Sequence, residues 1–173
     1  MYASSKGQRL KKGNLLTRIA KLNKEWRVSF EVKPTSYKAK KSSVLHMTTV
    51  KGKGKGLKPR DQTSSVWFHK ADGIVVAAYV NGNKSFVKTF EDLPKSGEWI
   101  KIDISQVKAG SQYIYTIAIN GQEEFSEENT KAVEFSNVHV YASSPFFSGQ
   151  KGTIRNVTVE NRVDGKNKTY LID

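Results

Sequence analysis

The densest chemistry in the chain is the run Lys51-Gly52-Lys53-Gly54-Lys55-Gly56-Leu57-Lys58-Pro59-Arg60. Glycine leaves a backbone free to adopt many shapes, so the run is expected to form a mobile loop that moulds its ammonium groups to an anion. In an extended chain Lys51, Lys53 and Lys55 project to one side at a spacing of about 7 Å, which suits a row of sulfates, carboxylates or phosphates. Lys38, Lys40 and Lys41 add to this patch if the two loops lie at the same end of the molecule. A solvated loop kept basic for solubility is the competing explanation. Charge this concentrated favours a polyanion site. The run is not a phosphate-cradling loop, which needs Gly-x-x-x-x-Gly-Lys-Ser/Thr between a strand and a helix.

A second group depends on strand alternation. If Leu45 and Met47 face the core, His46 faces out; if Val66 and Phe68 face in, Trp67 and His69 face out. His139 and Tyr141 face out by the same rule if Val138 and Val140 face in. A sugar ring can stack on such aromatics while polar groups read its hydroxyls. Ordinary cross-strand packing of hydrogen-bonded histidines is the plainer alternative. Three histidines could hold a metal only on adjacent strands, and imidazoles without acidic companions are a thin signal, so the metal question stays open. Glu123, Glu124, Glu127 and Glu128 cluster after the turn pair Asn120-Gly121. Catalytic carboxylates need a fixed separation across a cleft, whereas four acids around a turn read as a solvated strand edge. The expectation is no catalytic residue and no enzyme.

The elements that must position these groups are strands. Trp26 to Lys33 alternates apolar and polar residues strictly, and Pro34 is expected to end it. Further strands are expected over 43–50, 65–69, 74–80, 84–90, 99–106, 113–119, 133–141 and 153–160, with Asp72-Gly73, Asn81-Gly82 and Asn120-Gly121 as turns. The segment 15–22 reads equally as helix or strand. Trp26 and Trp99 are expected in the core, each opening an alternating apolar face. Short strands separated by Gly/Asn turns indicate an all-β antiparallel sandwich or barrel. The expected organisation is a flexible basic arm over 1–13, one sandwich domain over 14–162 and a polar tail over 163–173.

Composition agrees. The 173 residues suffice for one domain with a real core, and no apolar stretch is long enough for a membrane span. There is no cysteine, which excludes disulfides and thiolate chemistry. The net charge of +13 is uneven. Residues 1–60 hold 17 Lys and Arg against only Glu25 and Glu31, while 61–173 hold 12 against 14 acids. Such asymmetry points to an anionic partner rather than to a fold. Asn83, Asn156 and Asn167 each begin a glycosylation sequon.

The order of the later strands resembles the laminin G and concanavalin A-like lectin jelly roll. Gly97–Ser105 (GEWIKIDIS) is similar to its strand opening with Trp and alternating aliphatics. Tyr113–Phe125 (YIYTIAINGQEEF) resembles the next hairpin, and Val133–Ser143 followed by Gly152–Asn161 resembles the closing pair. The chain is also similar to secreted proteins of simple marine animals, which lends no function. The resemblance implies an extracellular module that binds glycans or protein partners, often with calcium. The acidic and Asn ligands of the laminin G calcium site have no matching positions here, so no cofactor is expected, calcium staying open without a motif to support it. Nor does any run supply the Glu, Asp and Glu of the hydrolases that share this architecture.

Together these readings give a lectin-type binding module. Its expected partner is an acidic glycan or other polyanion, held by Lys51, Lys53, Lys55, Lys58, Arg60, Lys38, Lys40 and Lys41 with His46, Trp67 and His69. The alternative is a self-assembling matrix protein that organises an acidic partner or a mineral such as silica. Nucleic acid ranks last, because no aromatics interleave with the lysines.

Overall fold

The computed structural model describes residues 7–49, 62–163 and 165–172. Thirteen strands lie within them: β1 (Gln8–Arg9), β2 (Asn14–Leu22), β3 (Trp26–Ser36), β4 (Lys41–Thr48), β5 (Gln62–His69), β6 (Gly73–Val80), β7 (Asn83–Phe90), β8 (Ile100–Ala109), β9 (Gln112–Ile119), β10 (Gln122–Glu128), β11 (Phe135–Ala142), β12 (Lys151–Val163) and β13 (Lys166–Ile172). One antiparallel sheet has the order β1-β12-β3-β8-β9-β10, with β13 also on β12; the other runs β2-β11-β4-β5-β6-β7. No helix among the described residues is long and apolar enough to cross a membrane.

Alternation builds the core as expected. Val28, Phe30 and Val32 of β3 face inward beside their β8 neighbours Ile104, Ile102 and Ile100. From the other sheet come Leu45, Met47, Val66, Phe68, Val76, Val138 and Val140, all buried. The sheets meet through rings, Phe86 lying 5.7 Å edge-on to Tyr115 and 5.6 Å from Phe125. Each fully buried side chain of this size contributes about 1.5–3 kcal/mol. Asn81-Gly82 and Asn120-Gly121 both take positive φ at both residues, as the tight turns of two-residue hairpins require.

Three features differ from the sequence reading, and one that it left open, the segment 15–22, is decided. Pro34 lies inside β3, because the β8 pairing has already stopped at Val32↔Ile100. It sits opposite Gly152, where a Cβ would come within 2.3 Å of the Lys33 carbonyl oxygen. Segment 15–22 is a strand, paired along β11. Trp99 is half-buried and outside the core: since Ile100, Ile102 and Ile104 point inward, their odd-numbered neighbour points out. The Arg155 guanidinium stacks 3.9 Å from its ring centroid. Finally, strand pairing reaches into the segments read as arm and tail. β1 pairs with Thr153 and Ile154, Leu10 is buried, and β13 pairs along 157–163 with Ile172 in the core.

Candidate functional site

β4 and β5 pair through a bulge. The register steps from Ser43↔Trp67 to Leu45↔Val66, leaving Val44 as the extra residue. With Leu45, Met47, Val66 and Phe68 in the core, the opposite face carries the pairs Lys41↔His69, Ser43↔Trp67 and His46↔Ser65. Directly paired side chains of this kind lie about 4.5–5.5 Å apart at Cβ.

The chain between β11 and β12 folds back over this face, and the bulge is what holds it. Val44 offers its carbonyl to the Ser143 N–H at 2.8 Å. Ser43 donates its N–H to the Ser148 carbonyl (2.9 Å), accepts from the Gln150 N–H (2.8 Å), and bonds the Ser143 carbonyl through Oγ (2.9 Å). Gln150, buried, ties its amide to the Ser36 and Lys151 carbonyls and accepts from Ser42 Oγ. Ser144 Oγ accepts the N–H groups of Phe146 and Phe147 at 3.0 and 3.2 Å, which shapes the turn presenting both rings.

The result is a cleft of about 330 Å³ lined chiefly by Lys41, His46, Ser65, Trp67, Phe147 and Ser148. Lys41 Nζ lies 4.1 Å from the centroid of Trp67 and 5.2 Å from that of Phe147. Two aromatic faces thus hold one ammonium by cation–π attraction. Phe146 meets the His46 ring edge-on at 5.8 Å.

His46 is 2% exposed. Burial, and then the Lys41 charge, push its pKa down to about 4, so the imidazole is neutral at neutral pH. Burial also lowers the pKa of Lys41. His46 Nε2 and Ser65 Oγ have no hydrogen-bond partner among the described residues, although both residues are buried in the wall of the cleft. An unsatisfied buried polar atom costs about 1–3 kcal/mol, part of which a ligand that bonds it returns. Aromatic faces and one cation can together hold a ring that bears an acid, with two unpaired polar atoms shielded just beneath the cleft surface.

Of the residues singled out in sequence, Lys41, His46 and Trp67 meet here. His69 does not line the cleft; its Nδ1 lies 2.8 Å from Asp72 Oδ2, closing the turn after β5. Lys38 and Lys40 are exposed, and their carbonyls accept from Lys70 Nζ and the Lys70 N–H. Lys51, Lys53, Lys55, Lys58 and Arg60 lie outside the described residues. The flanking pair, Thr48↔Gln62, is at the far end of β4 from Lys41, about 23 Å away at the usual rise per residue. Sequence reasoning missed Ser43, Ser65 and the Phe146-Phe147 wall. The available signal was two adjacent phenylalanines within a segment otherwise rich in Ser, Pro and Gly.

Elsewhere, His139 Nδ1–H donates to the Asn137 carbonyl (2.9 Å) and the ring stacks on Tyr141. Among the described residues no three His, Cys, Asp or Glu side chains gather to hold a metal ion. The four glutamates lie on β10, the edge of its sheet.

No protein-family model matches the chain, and no curated protein matches it in sequence. Solved structures do match in shape. Sheep galectin-11 aligns over 87% of this chain and 98% of its own, with a TM-score of 0.52 at 12% identity. The LG4-5 domains of the mouse laminin alpha1 chain align over 95% of this chain and 42% of theirs, with a TM-score of 0.54 at 13% identity. The alginate lyase of Zobellia galactanivorans covers 83% of this chain and 66% of its own, with a TM-score of 0.50 at 12% identity, so this architecture also carries an enzyme. At such identities the likeness is one of fold, and by fold this chain is a concanavalin A-like jelly roll of the kind found in laminin G and galectin domains.

Proposed function

We propose that the protein is a non-enzymatic binding module of lectin type that takes an acidic sugar unit of a polysaccharide into the cleft between Trp67 and Phe147. The observation that carries this reading is the Lys41 ammonium held against both rings, beside the unpartnered His46 Nε2 and Ser65 Oγ. Lys41 pairs with the acid, ring C–H groups pack on the aromatics, and rotation of the His46 and Ser65 side chains on binding brings their buried polar atoms to the hydroxyls. Binding rather than catalysis is favoured because His46 and Ser65, though on paired positions, are not hydrogen-bonded to each other as a base and nucleophile would be. The basic run Lys51–Arg60 adds long-range attraction for the same ligand, an assignment made on charge alone. The setting is extracellular, and no metal is needed.

A glycan array probed with and without a chelator tests ligand class and metal dependence together. Sulfated or uronate-bearing glycans should bind equally in both conditions. Trp67→Ala should weaken the strongest hit about tenfold or more, since an aromatic platform is worth at least 1.4 kcal/mol. Retention of only neutral glycans, or binding indifferent to Trp67→Ala, would sink the reading.

A further inference from the structure

A second cavity, about 490 Å³, adjoins the segment that walls the first. Arg9, Lys11, Lys12 and Lys151 line it, with Ser148 and Gly149 between them. Ser148 lines both cavities, so the two are neighbours across one residue. None of the residues lining the second cavity is acidic. Among the described residues no carboxylate forms an ion pair with any of the four cations. By contrast, Lys21, Lys101, Arg155 and Arg162 each pair with an acid.

This cluster is held on a rigid base. Leu10 is buried in the core, and its N–H donates to the Gly152 carbonyl at 3.1 Å. The turn that carries Lys11 and Lys12 closes through Asn14 N–H to the Lys11 carbonyl (3.1 Å), and Gly13 N–H bonds the Ser144 carbonyl (2.9 Å). Arg9 sits on β1 opposite Thr153, and Lys151 begins β12. The backbone that carries four exposed like charges is therefore fixed around one hollow, where mutual repulsion raises the attraction for an anion.

We infer that this hollow is a second anion subsite, which receives a further sulfate or carboxylate of the same polysaccharide whose acidic unit fills the Trp67 cleft. The inference rests on the reading of that cleft. The polymer crosses the ridge at Ser148, with the Trp67 cleft reading one unit and the hollow holding charge beyond it. Short ligands reach only the first cavity and long ones reach both, so affinity grows with chain length.

The test is titration calorimetry with a heparin-derived disaccharide and octasaccharide at several salt concentrations. Three proteins are compared with the parent: Lys11→Gln/Lys12→Gln/Lys151→Gln, the charge-matched control Lys95→Gln/Lys108→Gln/Lys166→Gln, and Trp67→Ala. The subsite triple should bind the octasaccharide about tenfold more weakly and lower the slope of log affinity against log salt by about 2, by analogy with counterion release. It should bind the disaccharide as the parent does, and the control should resemble the parent throughout. Trp67→Ala should weaken both ligands. If the subsite triple matches the control on the octasaccharide while Trp67→Ala weakens both ligands, the hollow is no subsite and the cleft reading stands. If the parent binds neither ligand, both fall. Single-stranded oligothymidine bound as tightly as the octasaccharide, and weakened by the subsite triple, would overturn the polysaccharide assignment.

Discussion

His46 shows how one buried side chain ties the cleft to pH. The unfolded imidazole titrates near 6.5 and the folded one at about 4, because burial and the Lys41 ammonium both oppose its charge. Between these values the unfolded chain binds more protons, so stability falls as pH drops from 6.5 to 4 and this contribution is level below 4. At full extent the loss is about 3 kcal/mol. His46→Gln cannot titrate. Urea unfolding of parent and variant at pH 7 and pH 4 should therefore show the parent losing stability relative to the variant by up to that amount. A constant difference across that range would show that His46 titrates normally. An anion in the cleft reverses the effect by favouring the imidazolium. A sulfated ligand, which keeps its charge at acid pH, should thus bind more tightly as pH falls from 6.5 towards 4.

At the scale of elements, the wall over β4 depends on a close approach that only a small residue permits. A Cβ on Gly149 would come 2.9 Å from Ser143 Oγ and 3.3 Å from the Leu10 carbonyl oxygen. Gly149→Ala should cost about 1–3 kcal/mol through overpacking, read by thermal denaturation. It should also move the Phe147 ring off Lys41 and so weaken the ligand that Trp67→Ala weakens. Normal stability with normal binding would mean the wall yields without consequence. The bulge at Val44 matters for the same reason, since it frees the β4 backbone groups that Ser143, Ser148 and Gln150 use.

For the whole molecule, the sandwich closes only with its terminal strands. β13 runs antiparallel to residues 157–163 of β12 and places Ile172 in the core with Tyr170 packed beside it. Deleting residues 164–173 strips β12 of a hydrogen-bonding neighbour and uncovers apolar surface. The melting temperature should drop by about 5–15 °C. A solvated tail, the sequence expectation, would leave it unmoved. The opposite edge, β10, has no strand beyond it among the described residues and carries Glu123, Glu124, Glu127 and Glu128, charges that resist edge-to-edge pairing.

Period-two alternation and Asn-Gly turns were enough to read most strands, the inward set from Val28 to Val140, and the outward placement of His46 and Trp67. These signals are local: each residue's side of a strand follows from its neighbours. Trp99 failed the same test only because its inward neighbours begin one residue later. What alternation cannot carry is which strands are adjacent and what lies over the outward face. Lys41, Trp67 and Phe147 are 26 and 80 residues apart along the chain, and only the β4–β5 register and the fold-back of 143–150 unite them. Nor could charge density locate the cleft. A lysine's attraction for an anion depends on what surrounds its ammonium, and for Lys41 that is two rings from distant segments, a property of the tertiary structure alone.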